Sequence, residues 1–412
     1  MTGDARTFDT GVHQSIAVLP APPAHWSYST LKEIETCPRR YVLGHASYPD
    51  LWDDLGYPPL PHSAALFGDV VHASLERIIK DLVGAGCASS ASPEAVSVLR
   101  DLGGYSAVAA TALEARVAQL DGNPRIDKDR RERIQRQLED RIPEARMQIQ
   151  GFLQRVSLIS NTASAEASSG HAGTGGRFGR SLGVGTHPEA SLRANALRVN
   201  GRVDLLTVTN RQVDILDHKT GAEDPSHLDQ LRFYALLWDQ DEVANDSRTP
   251  LGELTASYPA NDVMITAPDA AELQTLVEAT KSRVAGADVR AMAQAPVAIT
   301  GEHCRLCSVR SVCSKYWQDV TPDPETLRNG TWFDFDGIVG HQNGVKSWWM
   351  LDPSTRKTAL LLRTTSPRQK LVPDQQLRLL GIRRDDDPEV DAVVATLTTN
   401  SEVFVVDAGG DY

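Results

Sequence analysis

At 412 residues the chain has room for two or three domains, each with a core of its own. A hydrophobic share of 41% with 6% aromatics fits a soluble globular protein, and with no leader or bilayer-length apolar run in sight the expected location is the cytoplasm. The net charge of −12 argues against a uniformly basic nucleic-acid binder, but binding follows local charge, and Arg356 to Arg384 holds eight Lys or Arg against one acid, Asp374.

Residues 1–25, rich in Pro and Ala, are expected to form a flexible arm. "SYSTLKEIETCPRRYVL" (27–43) predicts one capped amphipathic helix, and "SAALFGDVVHASLERIIKDLV" (63–83) predicts a second, with Leu66, Val70, Leu75, Ile78 and Ile79 on its inner face. Residues 93–157 read as mostly helical, and the charged run 125–146 reads as a solvated face. The Gly/Ser/Ala-rich stretch 160–185 predicts a flexible insertion; it lacks the Lys–Ser/Thr ending of a phosphate loop, so no motor ATPase is expected on this chain. From 188 to 219 the period switches to two, predicting three strands with turns at Ala194–Asn195 and Asn210–Arg211. A helix (225–240), a strand (262–268) and a helix (269–287) follow. Residues 326–412 then predict a separate all-β unit, with strands at 331–340, 346–351, 358–364, 376–383 and 402–407 and a hairpin at Asn343–Gly344.

Asp204 ends one strand-like run, and Asp217 and Lys219 end the next. On adjacent antiparallel strands the two acids can face a common centre, and Lys219 shares the face of Asp217. Two converging carboxylates repel unless a cation joins them; a hard divalent ion such as Mg²⁺ or Mn²⁺ takes oxygen ligands and lowers the pKa of bound water. Gln230 and Tyr234, four apart, occupy one face of the next helix, where they can hold a phosphate or the Lys219 amine. The blander reading makes Tyr234 a core aromatic and Gln230 a plain helix former.

"GDVVHASLE", "GRVD", "DHKTG" and "QLRFYALL" together resemble the successive motifs of the RecB-like branch of the PD-(D/E)XK nucleases. The resemblance covers roughly 65–80 and 189–240, with Glu189 a weaker match to an acidic position ahead of Gly-x-x-Asp. It implies an α/β, restriction-endonuclease-like mixed sheet flanked by helices over 26–318, with a helical insertion at about 88–157 and a disordered linker at about 160–187. It implies a metal held by His72, Asp204, Asp217 and the backbone carbonyl of His218, and catalysis by Asp204, Asp217, Lys219, Gln230 and Tyr234. Taken alone, His72 would read as an ordinary helical histidine.

Five cysteines are an odd number, and three cluster as Cys304, Cys307 and Cys313; in a reducing compartment such thiols more often hold metal than disulfides. A fourth ligand must come from elsewhere, and Cys37, before Pro38, is the natural candidate. Spacing alone leaves iron–sulfur and zinc both open, with His303 a substitute for Cys37 in a zinc site. The arrangement resembles the iron–sulfur subgroup of this branch, AddB and the CRISPR-adaptation exonucleases, which implies a structural [4Fe–4S] cluster. Cys87 reads as an ordinary thiol.

The C-terminal unit, with Trp332, Trp348 and Trp349 and its basic strip, is compatible with a small oligonucleotide-binding (OB-like) barrel. Arg356, Lys357, Arg363, Arg368, Lys370 and Trp348 are its candidate DNA contacts, against packing within the barrel or docking on protein. The expectation is a metal-dependent exonuclease acting on single-stranded DNA or duplex ends in repair, recombination or anti-phage defence, beside a separate helicase or defence-complex partner. The competing reading is a DNA-binding scaffold whose nuclease centre is degenerate.

Overall fold

The computed structural model describes residues 7–9, 16–48, 56–161, 180–365 and 371–406. It begins with a two-stranded ribbon, β1 (Thr7–Asp9) and β2 (Ile16–Val18), followed by helices α1 (Tyr28–Thr36) and α2 (Pro38–Gly44). The single helix expected over 27–43 is two. Pro38 has no N–H to continue the ladder, so Cys37 ends one helix and opens the next in an extended conformation. Ser27 and Thr30 cap α1 reciprocally.

A helical layer comes next: α3 (Ser63–Gly84), α4 (Pro93–Asp101), α5 (Tyr105–Ala118), α6 (Lys128–Glu139) and α7 (Ile142–Arg155). Strands β3 (Gly185–Ala194), β4 (Val199–Val208) and β5 (Val213–His218) form an antiparallel meander. Helix α8 (Pro225–Gln240) crosses over to β6 (Leu251–Ser257), which runs parallel to β5; β7 (Asp262–Thr266) completes the sheet, and α9 (Ala270–Ala291) follows. The order β3-β4-β5-β6-β7 gives a mixed sheet between two helical layers. One face packs on α1, α2, α8 and α9; the other, through Leu205 and Leu216, packs on α3 to α7.

Past a short helix α10 (Ser314–Asp319), strands β8 (Trp332–Gln342), β9 (Ser347–Leu351), β10 (Thr358–Thr364), β11 (Gln376–Asp385), β12 (Val394–Leu397) and β13 (Glu402–Val406) form a second sheet. It closes into a small barrel because β12 pairs in parallel with β10 and antiparallel with β11, while β13 adds to the outer side of β11. Buried charges fix this barrel to the rest. Arg310 Nε is 2.8 Å from Asp334 Oδ2, and Arg125 donates through Nε and Nη2 to both oxygens of Glu402, at 3.0 and 2.9 Å.

Several expectations need correction. The arm ascribed to 1–25 is not loose at its end: Ala17 and Leu19 are buried in the sheet's core, and Val18 bridges to Ser47. The linker ascribed to 160–187 ends sooner, because Gly185, Thr186 and His187 are buried in β3, where Thr186 N–H donates to Ile159 O; residues 162–179 lie outside the described residues. Strand β6 escapes an apolar-pattern reading because polar Thr255 and Ser257 occupy buried positions, satisfied by Glu253 and by Asp262 and Arg155. The four-residue β12 is too short to stand out from the run 392–397. Among the described residues no helix is long and apolar enough to cross a membrane.

Candidate metal centre

The antiparallel register lines up three acids. Pro188 faces Leu205 and Ala190 faces Val203, so Glu189 lies opposite Asp204; one step beyond the bonded pair Leu205–Leu216, Asp204 lies opposite Asp217. Carboxylates directly across a ladder repel one another. The backbone yields here in two places. Glu189 adopts a left-handed φ of 54°, and the His218 N–H, at the end of β5, donates to Asp204 Oδ2 at 2.7 Å.

Helix α3 brings His72 over this row, Nδ1 lying 3.5 Å from Asp204 Oδ2. His72, Glu189 and Asp204 each offer a ligand atom, all within 4.8 Å of one another. Asp217, which the sequence places in the metal set, turns instead to Lys219, whose Nζ is 2.6 Å from its Oδ2. Lys219 Nζ also donates to Gln230 Oε1 at 2.9 Å, and Gln230 Nε2 donates to Tyr234 Oη at 2.7 Å, so the helix pair orients the amine. Two motif glycines permit this packing. A Cβ on Gly201 would meet Leu237 Cδ1 at 2.7 Å and Tyr234 Cε1 at 3.1 Å; one on Gly68 would meet Thr220 Oγ1 at 3.1 Å.

The electrostatics are those of a site short of positive charge. Burial, then the Asp204 charge, pushes the Asp217 carboxyl up to about 7 despite Lys219. Burial and Asp204 likewise push Glu189 up to about 7 against the pull of Arg202. Burial would raise Asp204 as well, but His72, Lys219 and the His218 N–H together hold it below the usual carboxylate range. Burial disfavours the His72 cation, yet the surrounding acids, Asp204 foremost, raise it to about 8.

Asp217 Oδ2 and Glu189 Oε2 are buried and lack a partner in hydrogen-bond geometry; their cations, Lys219 and Arg202, touch them off-line. Buried, under-satisfied carboxylate oxygens beside an imidazole are the donors a hard divalent ion takes, so the residues fit Mg²⁺ or Mn²⁺. The His218 ring is not part of this set. It is buried between His72 and Phe152 and driven down to about 3 by burial. The row opens into a cleft of about 880 Å³ whose other wall is α3 and α5, through Asp69, Glu76, Arg116 and Gln119.

A second donor set lies apart. Cys37, Cys304, Cys307 and Cys313, far apart in sequence, line one small cavity of about 20 Å³ with Arg40 and Arg310. Burial raises the Cys304 thiol and pushes Cys307 up to about 11. His303 Nε2 lies 3.8 Å from Cys304 Sγ. Cys87 sits away from them, buried in the helical layer.

The candidate DNA contacts on the barrel do not form one row of cations. Arg356 and Lys357 are exposed in the β9–β10 turn. Arg363 is paired with Asp387, and Trp348 packs partly against the barrel core. Arg368 and Lys370 lie outside the described residues. Nearby, Arg378 is buried against Asp336 and Ser311 O, and Arg383 faces Asp385. The acidic stretch 385–391, just beyond the basic strip, consumes part of its charge.

Glu189 is the site residue that motif reading undervalues. A turn at Ala194–Asn195, as the sequence suggests, would set Glu189 across from Asn200; the observed connection spans 195–198, Ala194 pairs with Val199, and counting back from there sets Glu189 across from Asp204. Comparison with known proteins bears on the whole constellation. A family model described as the PD-(D/E)XK nuclease superfamily matches residues 25–314. No curated protein matches. Among solved structures, the chain is similar to the p204 HINb domain at 15% identity and a TM-score of 0.19, covering 27% of this chain and 55% of that one. A likeness that thin supports nothing further.

Proposed function

Because the chain belongs to the PD-(D/E)XK nuclease superfamily, we propose that it is a metal-dependent deoxyribonuclease of the RecB-like branch, directed at single strands or duplex ends. The observation that carries this reading is the row Glu189–Asp204–Asp217, with His72 above it and Lys219 beside it, on a cleft open to solvent. His72, Asp204 and Glu189, with Asp217 and the His218 carbonyl adjoining, would hold Mg²⁺ or Mn²⁺. Such an ion activates water and stabilises charge developing on phosphate. Lys219, its amine fixed by Gln230 and Asp217, orients the attacking water by donating to it. Tyr234, held by Gln230, braces that amide and the amine it carries, while Arg116 and Arg202 supply positive charge to the cleft walls. Phosphoryl transfer asks mainly for positioning and charge stabilisation, and this set offers both.

The four thiols are read as the ligands of a structural [4Fe–4S] cluster. That reading is supported by the convergence of Cys37, Cys304, Cys307 and Cys313 on one cavity, four thiols being the ligand set of such a cluster. The C-terminal barrel is read as OB-like, a reading supported by its closed strand order β8-β9-β10-β12-β11. A separate helicase or defence-complex partner, and a role in repair or anti-phage defence, complete the proposal.

Incubating labelled single-stranded and duplex DNA with the protein and Mn²⁺, against an EDTA control, tests the reading. Ion-dependent cleavage abolished by Asp204→Ala is expected; binding without cleavage by the wild-type chain favours the scaffold instead. Anaerobic purification with a broad absorption band near about 400 nm, lost in Cys37→Ser, is expected for the cluster.

A further inference from the structure

Arg202 stands two residues before Asp204 on β4 and therefore on the same face of the sheet. Its Nε is 2.5 Å from Glu189 Oε2, yet the contact lacks hydrogen-bond geometry and leaves that oxygen under-satisfied. The two partners differ: the Glu189 side chain is 9% exposed and the Arg202 side chain 53%. With its guanidinium half in water, Arg202 can leave Glu189 for another partner without stranding a buried cation.

The same Arg202 borders a second groove of about 410 Å³ that shares Ser29, Arg202, Gln230 and Tyr234 with the cleft and is otherwise walled by Ser27, Tyr28, Ser191, Asn200 and Gly201. No acid lines it. Hydroxyl and amide groups, a single guanidinium and no carboxylate suit the phosphodiester backbone of a strand leaving the cleft, since a guanidinium binds phosphate through two parallel donors.

Resting on the nuclease reading above, we propose that Arg202 is an exchangeable counter-ion. It neutralises Glu189 while the centre holds no divalent ion, and when an ion takes Glu189 it turns to a backbone phosphate of single-stranded DNA in the adjoining groove. A divalent ion at Oε2 repels a guanidinium held 2.5 Å from the same oxygen, so the ion weakens that contact, and DNA that captures the guanidinium in turn favours the ion. Ion binding and strand binding are thereby coupled through one side chain.

The test uses the full chain, Mn²⁺ binding followed by EPR, and anisotropy of a labelled single-stranded oligonucleotide in Ca²⁺ or in EDTA. Arg202→Ala is expected to bind Mn²⁺ several-fold tighter without DNA. It should bind the oligonucleotide at least about tenfold more weakly than wild type in Ca²⁺, with no loss in EDTA, where Arg202 is occupied by Glu189. Arg202→Gln, which keeps the side chain's bulk, should behave alike. An equal loss of DNA affinity in Ca²⁺ and EDTA, or Mn²⁺ affinity unchanged or weakened in both variants, overturns the exchange. A wild-type chain that binds Mn²⁺ and single strands without cutting, yet shows this pattern on substitution, supports the exchange while removing the nuclease reading.

Discussion

Asp217→Asn separates the requirements of folding from those of the ion. In the ion-free protein the Asp217 carboxyl is held at about 7 against an ordinary 3.8, chiefly by burial and by Asp204. Three units at about 1.4 kcal/mol each place the cost of ionising it near about 4 kcal/mol. Because the folded-state pKa is the raised one, the stability it contributes is complete below about pH 4 and is lost as pH climbs through 7. The amide cannot ionise, so D217N escapes this loss but forgoes the attraction of Lys219. In EDTA at pH 8 the variant should be more stable than wild type by about 2–4 kcal/mol; the gap should narrow by about 2 kcal/mol at pH 5.5, where only the folded-state carboxyl is protonated, and be gone by pH 4. With Mn²⁺ at a hundredfold over its Kd the wild-type protein should recover about 2.7 kcal/mol, and the variant less. Urea unfolding at the two pH values, with and without Mn²⁺, measures all of this. A D217N protein less stable than wild type at pH 8 in EDTA, or a gap as wide at pH 5.5 as at pH 8, would refute the account of the site as a cation-starved row of acids. The same directions predict that Mn²⁺-dependent cleavage rises from pH 6 to pH 8 as Glu189 and Asp217 shed their protons.

Lys219→Met should lower cleavage by about 10²-fold or more while the EPR-measured affinity for Mn²⁺ holds or rises, because the amine orients water and competes for Asp217. Gly201→Ala drives a Cβ into Leu237 and Tyr234. It should cost about 1–3 kcal/mol in unfolding and slow cleavage by displacing the Tyr234–Gln230–Lys219 chain. Arg125→Met strands the buried Glu402 carboxylate and should cost about 3–5 kcal/mol in urea unfolding, whereas the R125M/E402M double variant should recover much of it.

The motif residues were legible because their chemistry is tied to short, regular spacings. Asp217 and Lys219 share a strand face, Gln230 and Tyr234 share a helix face, and both relations hold in the structure. Whatever depends on register between strands, or on segments distant in sequence, was harder to read. Glu189 carries no local mark beyond being acidic; its weight comes from facing Asp204 across a hairpin, an environment that only the completed meander creates. The basic strip shows the converse. Its charge is plain in the sequence, but tertiary partners such as Asp387 and Asp336 take up Arg363 and Arg378. Strand β6 was hidden for another reason: Thr255 and Ser257 are buried polar groups satisfied from neighbouring elements, and no apolar pattern reports a satisfied hydroxyl.

The two donor sets also explain how one chain could keep two metals apart. The cleft offers carboxylates and an imidazole among polar groups open to solvent, a hard donor set that suits Mg²⁺ or Mn²⁺. The cysteine cavity offers soft sulfur donors walled by Ala298, Ile299 and Val309, where burial outweighs the pull of Arg40 and favours the thiol forms of Cys304 and Cys307. Because Cys37 precedes the sheet and the other three thiols follow it, whatever binds there closes a loop around the whole nuclease fold and shrinks the unfolded ensemble. Tyr316 and Arg310, which flank that cavity, also meet Asp334 at the start of the barrel, so the clasp organises the barrel's seat as well. On the proposal above, loss of the cleft ion should remove chemistry and its own binding energy alone, whereas loss of a metal at the thiols should loosen the sheet and the barrel together.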